Sequence, residues 1–110
     1  MDDEEFGEHV RAALDSLPED IAAGLENVAV VVEDESPEGP WILGTFFGHP
    51  HAERTPSGAL PARVVIYKRP LEESFPEPDE LERQIRITVL HELAHYFGID
   101  EDRIAELGYR

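Results

Sequence analysis

The sequence predicts a single α+β domain over residues 1–110: a small mixed sheet of about three to four strands, packed on a long helix near the C-terminus and on an N-terminal helix. Three observations predict it. Apolar residues recur at helical spacing near the N-terminus, short β-branched and aromatic runs occupy the middle, and a capped, mostly apolar helical segment follows. A chain of 110 residues carries one modest core rather than two.

Composition narrows the partners. A formal charge of -16 repels phosphates, which argues against nucleic acid and against an anionic membrane surface. With no cysteine, disulfides, thiolate metal sites and cysteine nucleophiles are excluded. The N-terminus, Met1-Asp2-Asp3-Glu4-Glu5, is acidic and no apolar run follows it, so neither a secretory signal nor a mitochondrial presequence is expected. No stretch reaches the length of a membrane span, and a cytoplasmic location is the default expectation.

Phe6, Val10, Ala13, Leu14 and Leu17 predict an amphipathic helix from about Glu4 to Leu17, closed by Pro18. His9 sits beside its apolar stripe and reads as a boundary histidine rather than a ligand. Ser16 followed by Glu19 fits the cap of a second short helix through about Leu25. Val28-Ala29-Val30-Val31-Val32 has the continuous β-branched pattern of a strand covered on both faces. After the turn-rich residues Glu33 to Pro40, Trp41 to Phe47 reads as a second strand. Gly44 interrupts it, the mark of a bulge or a close backbone approach.

Gly48 to Ala62 is long for a connection, contains three prolines and carries His49 and His51. An extended backbone through the proline between those histidines turns their side chains apart, which argues against a shared ion. Arg63 to Tyr67 is a third strand ended by Pro70, and Leu71 to Pro78 is a second proline-rich stretch.

Asp79, with Glu82 three residues later, forms a capping-box pattern at the start of the main helix. Glu80 and Glu82 also suit its positive end. The helix is expected to reach Phe97 and to end on a left-handed Gly98. At about 100° per residue, Gln84, Thr88, His91, Glu92 and His95 fall in one stripe roughly 80–100° wide. Most of the remaining surface is apolar: Ile85, Ile87, Val89, Leu90, Leu93, Ala94, Tyr96 and Phe97. Such a helix is buried, and its narrow polar stripe must face a cleft, water or an ion, because burying it unpaired is costly.

His91 and His95, four residues apart, lie one turn above the other on the same face and reach one metal ion. Glu92 between them reaches a water on that metal and fits a general base. The plain alternative is two core or surface histidines and a surface acid. The strong helix, the shared stripe, the terminating glycine and the acids that follow favour the metal site. Catalytic zinc takes three protein ligands and keeps an open position. No third histidine follows Gly98, so the reversal there offers Asp100, Glu101 or Asp102. Those acids equally suit the start of a short helix over Arg103 to Leu107.

The pattern His91-Glu92-x-x-His95-x-x-Gly98-x-x-Glu101 resembles the extended motif of the metzincins. The chain as a whole resembles the small bacterial zincin-like metallopeptidases, sometimes called minimal zincins. The similarity rests on Leu14 to Glu35, Arg63 to Leu71 and, most specifically, Thr88 to Tyr109. It implies a compact zincin-like domain with the His91 helix as active-site helix, a bound Zn2+, peptidase activity on a peptide or protein substrate, and a third ligand at Glu101. Relatives commonly carry aspartate where Glu101 stands. The only methionine is Met1, so the methionine turn of true metzincins is absent, and the chain ends with no far wall expected for the cleft.

The expected function is hydrolysis by a zinc-activated water, with His91, His95 and Glu101 on the metal and Glu92 as base. The alternative is a non-catalytic zincin-fold adaptor whose metal supports folding. An RNA-processing hydrolase is disfavoured by the charge. A groove for an extended peptide is expected along the Trp41 to Phe47 edge.

Overall fold

The computed structural model describes residues 1–17, 19–23, 28–48 and 62–106. Helix α1 (Asp3–Asp15) opens where the Asp2 carboxylate accepts from the Glu5 N–H at 2.8 Å. It buries Phe6, Val10 and Ala13, the face expected from their spacing. Ser16 does not cap the next helix. Its hydroxyl donates to the Ala13 carbonyl at 2.6 Å and closes α1, and α2 (Glu19–Ala23) follows. Leu25, the expected end of that helix, lies outside the described residues.

Strands β1 (Val28–Glu33), β2 (Gly44–Phe47) and β3 (Ala62–Tyr67) form a mixed sheet in the order β1-β3-β2. β1 runs parallel to β3 with Val30 opposite Val64, and β2 runs antiparallel with Gly44 opposite Ile66 and Phe46 opposite Val64. The central strand is β3, buried throughout except at Arg63. The valine run of β1 was expected to be covered on both faces but forms an edge. Val28 and Val30 meet the core while Val31 and Val32 stay 36% and 37% exposed. Among the described residues the sheet has three strands, so only one place is interior, and β3 takes it. Trp41 to Leu43 precede β2 rather than belonging to it, and Trp41 is 73% exposed beside the turn at Gly39.

The proline-rich stretch after β3 holds a helix that the sequence reading did not assign. Residues Lys68–Ser74 form helix α3, with Pro70 in its first turn, where the missing N–H has no helical partner to lose. Leu71 is fully buried there. Helix α4 (Pro78–Tyr96) also begins earlier than the capping box placed it. Glu77 is its cap, without a side-chain bond, and Pro78 sits at the first position. Asp79 and Glu80 are then first-turn acids. Helix α5 (Glu101–Glu106) matches the short helix expected near the end.

The core lies where α1, α3 and α4 cover one face of the sheet. Phe6, Val10 and Ala13 meet Leu81, Ile85, Val89 and Leu93, with Val64, Ile66 and Leu71 beneath. Leu81, Ile85, Val89 and Leu93 recur every four residues, so one stripe of α4 carries the packing and leaves the adjacent stripe for the site.

Ile85 is completely buried at the centre of this cluster. Ile85→Ala is expected to lower unfolding stability by about 2–5 kcal/mol, the usual cost of such a cavity. Urea unfolding measures it, and a loss below about 1 kcal/mol contradicts this placement of the core.

Candidate metal centre

Helix α4 ends in a reversal that brings the next acids back over its last turn. Phe97 is the cap residue and Gly98 takes φ 74°, a conformation that favours glycine. The Gly98 N–H donates to the His95 carbonyl and the Ile99 N–H to the Ala94 carbonyl, each at 3.0 Å, the paired bonds of a Schellman ending. Asp100 then accepts from the Arg103 N–H at 2.9 Å and starts α5. Its carboxylate is therefore engaged as a cap, while Glu101 in the first turn of α5 is aimed at α4.

Glu101 Oε1 lies 3.1 Å from His95 Nε2 and 3.5 Å from His91 Nε2. The two imidazoles stand 5.0 Å apart, steeply inclined, so both Nε2 atoms converge on that one oxygen. Donor atoms of His91, Glu92 and His95 also lie within 4.8 Å of one another. Of the three acids after Gly98, Glu101 is the one brought onto the histidines. His91 and His95 are half-buried and Glu101 is exposed on its outer side.

These separations fit a tetrahedral ion. Zn–N of about 2.0–2.1 Å and Zn–O of about 2.0–2.2 Å put neighbouring ligands about 3.3–3.5 Å apart. The Glu101 oxygen stands at that spacing from His91 Nε2, at 3.5 Å, and slightly inside it from His95 Nε2, at 3.1 Å. Two imidazoles and a carboxylate are also the nitrogen and oxygen donors that zinc accepts.

Glu92 is held differently. Its stem packs against the backbone of Gly44: a methyl group there would lie 3.1 Å from Glu92 Cγ, 3.0 Å from Thr88 Cγ2 and 3.3 Å from the Val65 carbonyl oxygen. The close approach read from the sequence at Gly44 is thus between β2 and the α4 stripe, and the unbroken register shows no bulge. Thr88 donates its hydroxyl to the Gln84 carbonyl at 2.7 Å. Tyr96, 2% exposed, stacks at a tilt on Phe46 of β2 and fixes the end of α4 against the same strand. Burial pushes the Glu92 carboxyl above its ordinary value of 4.5; positive charge on His95 and His91 pulls the other way, and Glu101 adds to the rise.

Leu43, Gly44, Ile87 and Thr88 line the cleft beside the histidines, together with Gln84. Ile87 was expected on the buried side of α4 and is instead half-buried in this cleft. His9 is away from the centre, 3.9 Å from Glu82 between α1 and α4, in keeping with its reading as a boundary residue. His49 and His51 lie outside the described residues. Asp102 is exposed at the start of α5.

Fold and site together define a small α+β domain built on a helix that offers a histidine–glutamate–histidine donor group beside a sheet edge. Residues 25–109 match the model of the zincin-like metallopeptidases, and the chain belongs to that family. The structure is similar to that of a conserved hypothetical protein from Thermus thermophilus. The two are 30% identical, with a TM-score of 0.61, over 86% of this chain and 92% of that one. No curated protein matches the chain. Membership implies a bound metal ion, typically zinc. Among the described residues no helix is long and apolar enough to cross a membrane.

The raised Glu92 pKa makes a prediction for metal-free protein. Between 4.5 and the higher folded value, the folded state binds more protons than the unfolded one, so this group's contribution to stability falls as pH rises through that window. Glu92→Gln removes the penalty. With chelator present the variant is expected to be more stable than the parent at pH 7, and the gap to close as pH drops below 4.5. Denaturant unfolding at several pH values checks this, and a gap that does not shrink on acidification contradicts it.

Proposed function

We propose that the protein is a zinc-dependent peptidase in which His91, His95 and Glu101 hold the metal and Glu92 is the general base. The observation that carries this reading is the convergence of both imidazole Nε2 atoms on Glu101 Oε1, at 3.5 Å and 3.1 Å. Zinc bound there supplies a Lewis acid that lowers the pKa of water to about 7 and polarises a carbonyl oxygen.

The chain's own residues do the rest. The Glu92 carboxylate takes the proton of the attacking water and passes it to the leaving nitrogen as the C–N bond breaks. The Gly44 backbone packs against the Glu92 stem, so the carboxylate is aimed without having to be ordered during the reaction. Strand β2 pairs only with β3 among the described strands, and its other edge flanks the cleft. An extended peptide adds along that edge through main-chain hydrogen bonds, which brings its carbonyl past Glu92.

Glu92→Gln is expected to retain zinc and lose at least about a hundredfold in kcat, within the range of general-base catalysis. A variant as active as the parent sinks this mechanism. Should the parent load zinc and cleave no member of a diverse peptide library, the protein is instead the metal-stabilised binding module.

His95→Ala is expected to purify without zinc. Glu101→Ala should weaken zinc affinity by more than the roughly 10–100-fold that follows loss of a group supporting a ligand from outside the coordination shell. Metal content and competition with a chromophoric chelator measure both. Unchanged affinity in Glu101→Ala would hand the third position to another group.

A further inference from the structure

Two openings flank Glu92. One, of about 240 Å³, lies between β2 and the preceding turn of α4, framed by Leu43, Gly44, Gln84, Ile87 and Thr88 and shared with His91 and Glu92. The other lies beside Thr45, Phe46, Gly48 and His95. They meet at Gly44 and Glu92, so a peptide passing the base has one opening on each side of the bond it presents.

The first opening has the chemistry of a side-chain pocket. Ile87 is the informative residue. Its apolar neighbours Ile85, Val89 and Leu93 belong to the core and Leu90 is buried, whereas Ile87 is half-buried, outside that cluster, next to the polar stripe. An apolar surface left in a cleft beside a candidate centre is what a ligand's side chain covers. Leu43 forms the facing wall, its far side packed on the core. The Thr88 hydroxyl is occupied within the helix, and its methyl is the side-chain atom nearest Gly44. The Gln84 amide is tethered by its donation to Glu80 at 2.8 Å. Among the described residues the lining has no ionisable side chain besides His91 and Glu92, so in Glu92→Gln a charged guest would be desolvated with no carboxylate there to pair with it.

We propose that this pocket receives the side chain next to the scissile bond and selects one of leucine or methionine size, with Ile87 as the residue that sets the preference. The assignment to a scissile bond rests on the peptidase reading. The pocket's preference for an apolar side chain does not need turnover, and the test separates the two.

Zinc-loaded Glu92→Gln protein, in which turnover is blocked, is titrated with N-acetyl-leucinamide and with its glutamate and lysine counterparts, followed by backbone amide NMR. The expected result is shifts at Leu43, Gly44, Ile87 and Thr88, with the leucine compound binding at least about tenfold more tightly than either charged one. Adding Ile87→Ala should weaken leucine binding about fivefold or more, Ile87→Val should largely preserve it, and Ile87→Asp should turn the preference towards lysine. Shifts elsewhere, equal affinity for leucine and glutamate, or indifference to all three Ile87 variants overturns the pocket. Leucine binding at these residues with no peptide cleaved by the parent leaves the pocket standing and removes the peptidase reading. Cleavage with no apolar preference, unmoved by Ile87→Asp, does the reverse.

Discussion

The structure depends on the contact between Gly44 of β2 and the Glu92–Thr88 face of α4. A helix that is apolar on most sides sinks into the domain, and the polar stripe it carries must then be given water, partners or an ion. Gly44 lets the sheet edge come close enough to support that stripe without a side chain pushing the carboxylate aside. On one side of the contact is the core of Ile85, Val89 and Leu93, and on the other the two openings that His91 and His95 line. Moving β2 outward by the width of a methyl would loosen Glu92 and widen the pocket at the same time. Packing and chemistry are therefore set by a single distance.

Parts of this architecture were legible in the residues and parts were not, for physical reasons. The long helix and the third strand were readable because their periodicities are strong, and the shared face of His91 and His95 because four-residue spacing carries its own geometry, whereas spacing left Asp100, Glu101 and Asp102 open. Boundaries were less so. Pro78 opens α4 one residue before the acid that looked like its cap, because proline is as well suited to the first turn as aspartate is to the residue before it. Pro70 hid a helix in the same manner: a ring that breaks helix interiors is tolerated near a helix start, so a stretch noted only as proline-rich contains most of α3.

Faces were harder than elements. The valines of β1 looked doubly covered because β-branched runs form edges as readily as centres, and strand number, which decides between them, is a property of the whole domain. A helical wheel grouped Ile87 with the apolar surface of α4 but does not say whether the neighbouring space holds core or cleft. That depends on Leu43 and Gly44, more than forty positions earlier in the chain. The sequence flagged a close approach at Gly44, and only the three-dimensional structure supplies its partner.

The Schellman ending at Gly98 separates two kinds of dependence on the rest of the chain. His91, His95 and Glu101 come from one short segment, so bringing them together closes only a small loop at modest entropic expense. Glu92, by contrast, is aligned through Gly44, whose position relies on pairing between β2 and β3. Convergence of the two histidines and Glu101 is thus a local event along the backbone, and alignment of Glu92 a distant one. A partly assembled chain with its last two helices formed already brings His91, His95 and Glu101 together, while orientation of the Glu92 carboxylate waits for the sheet.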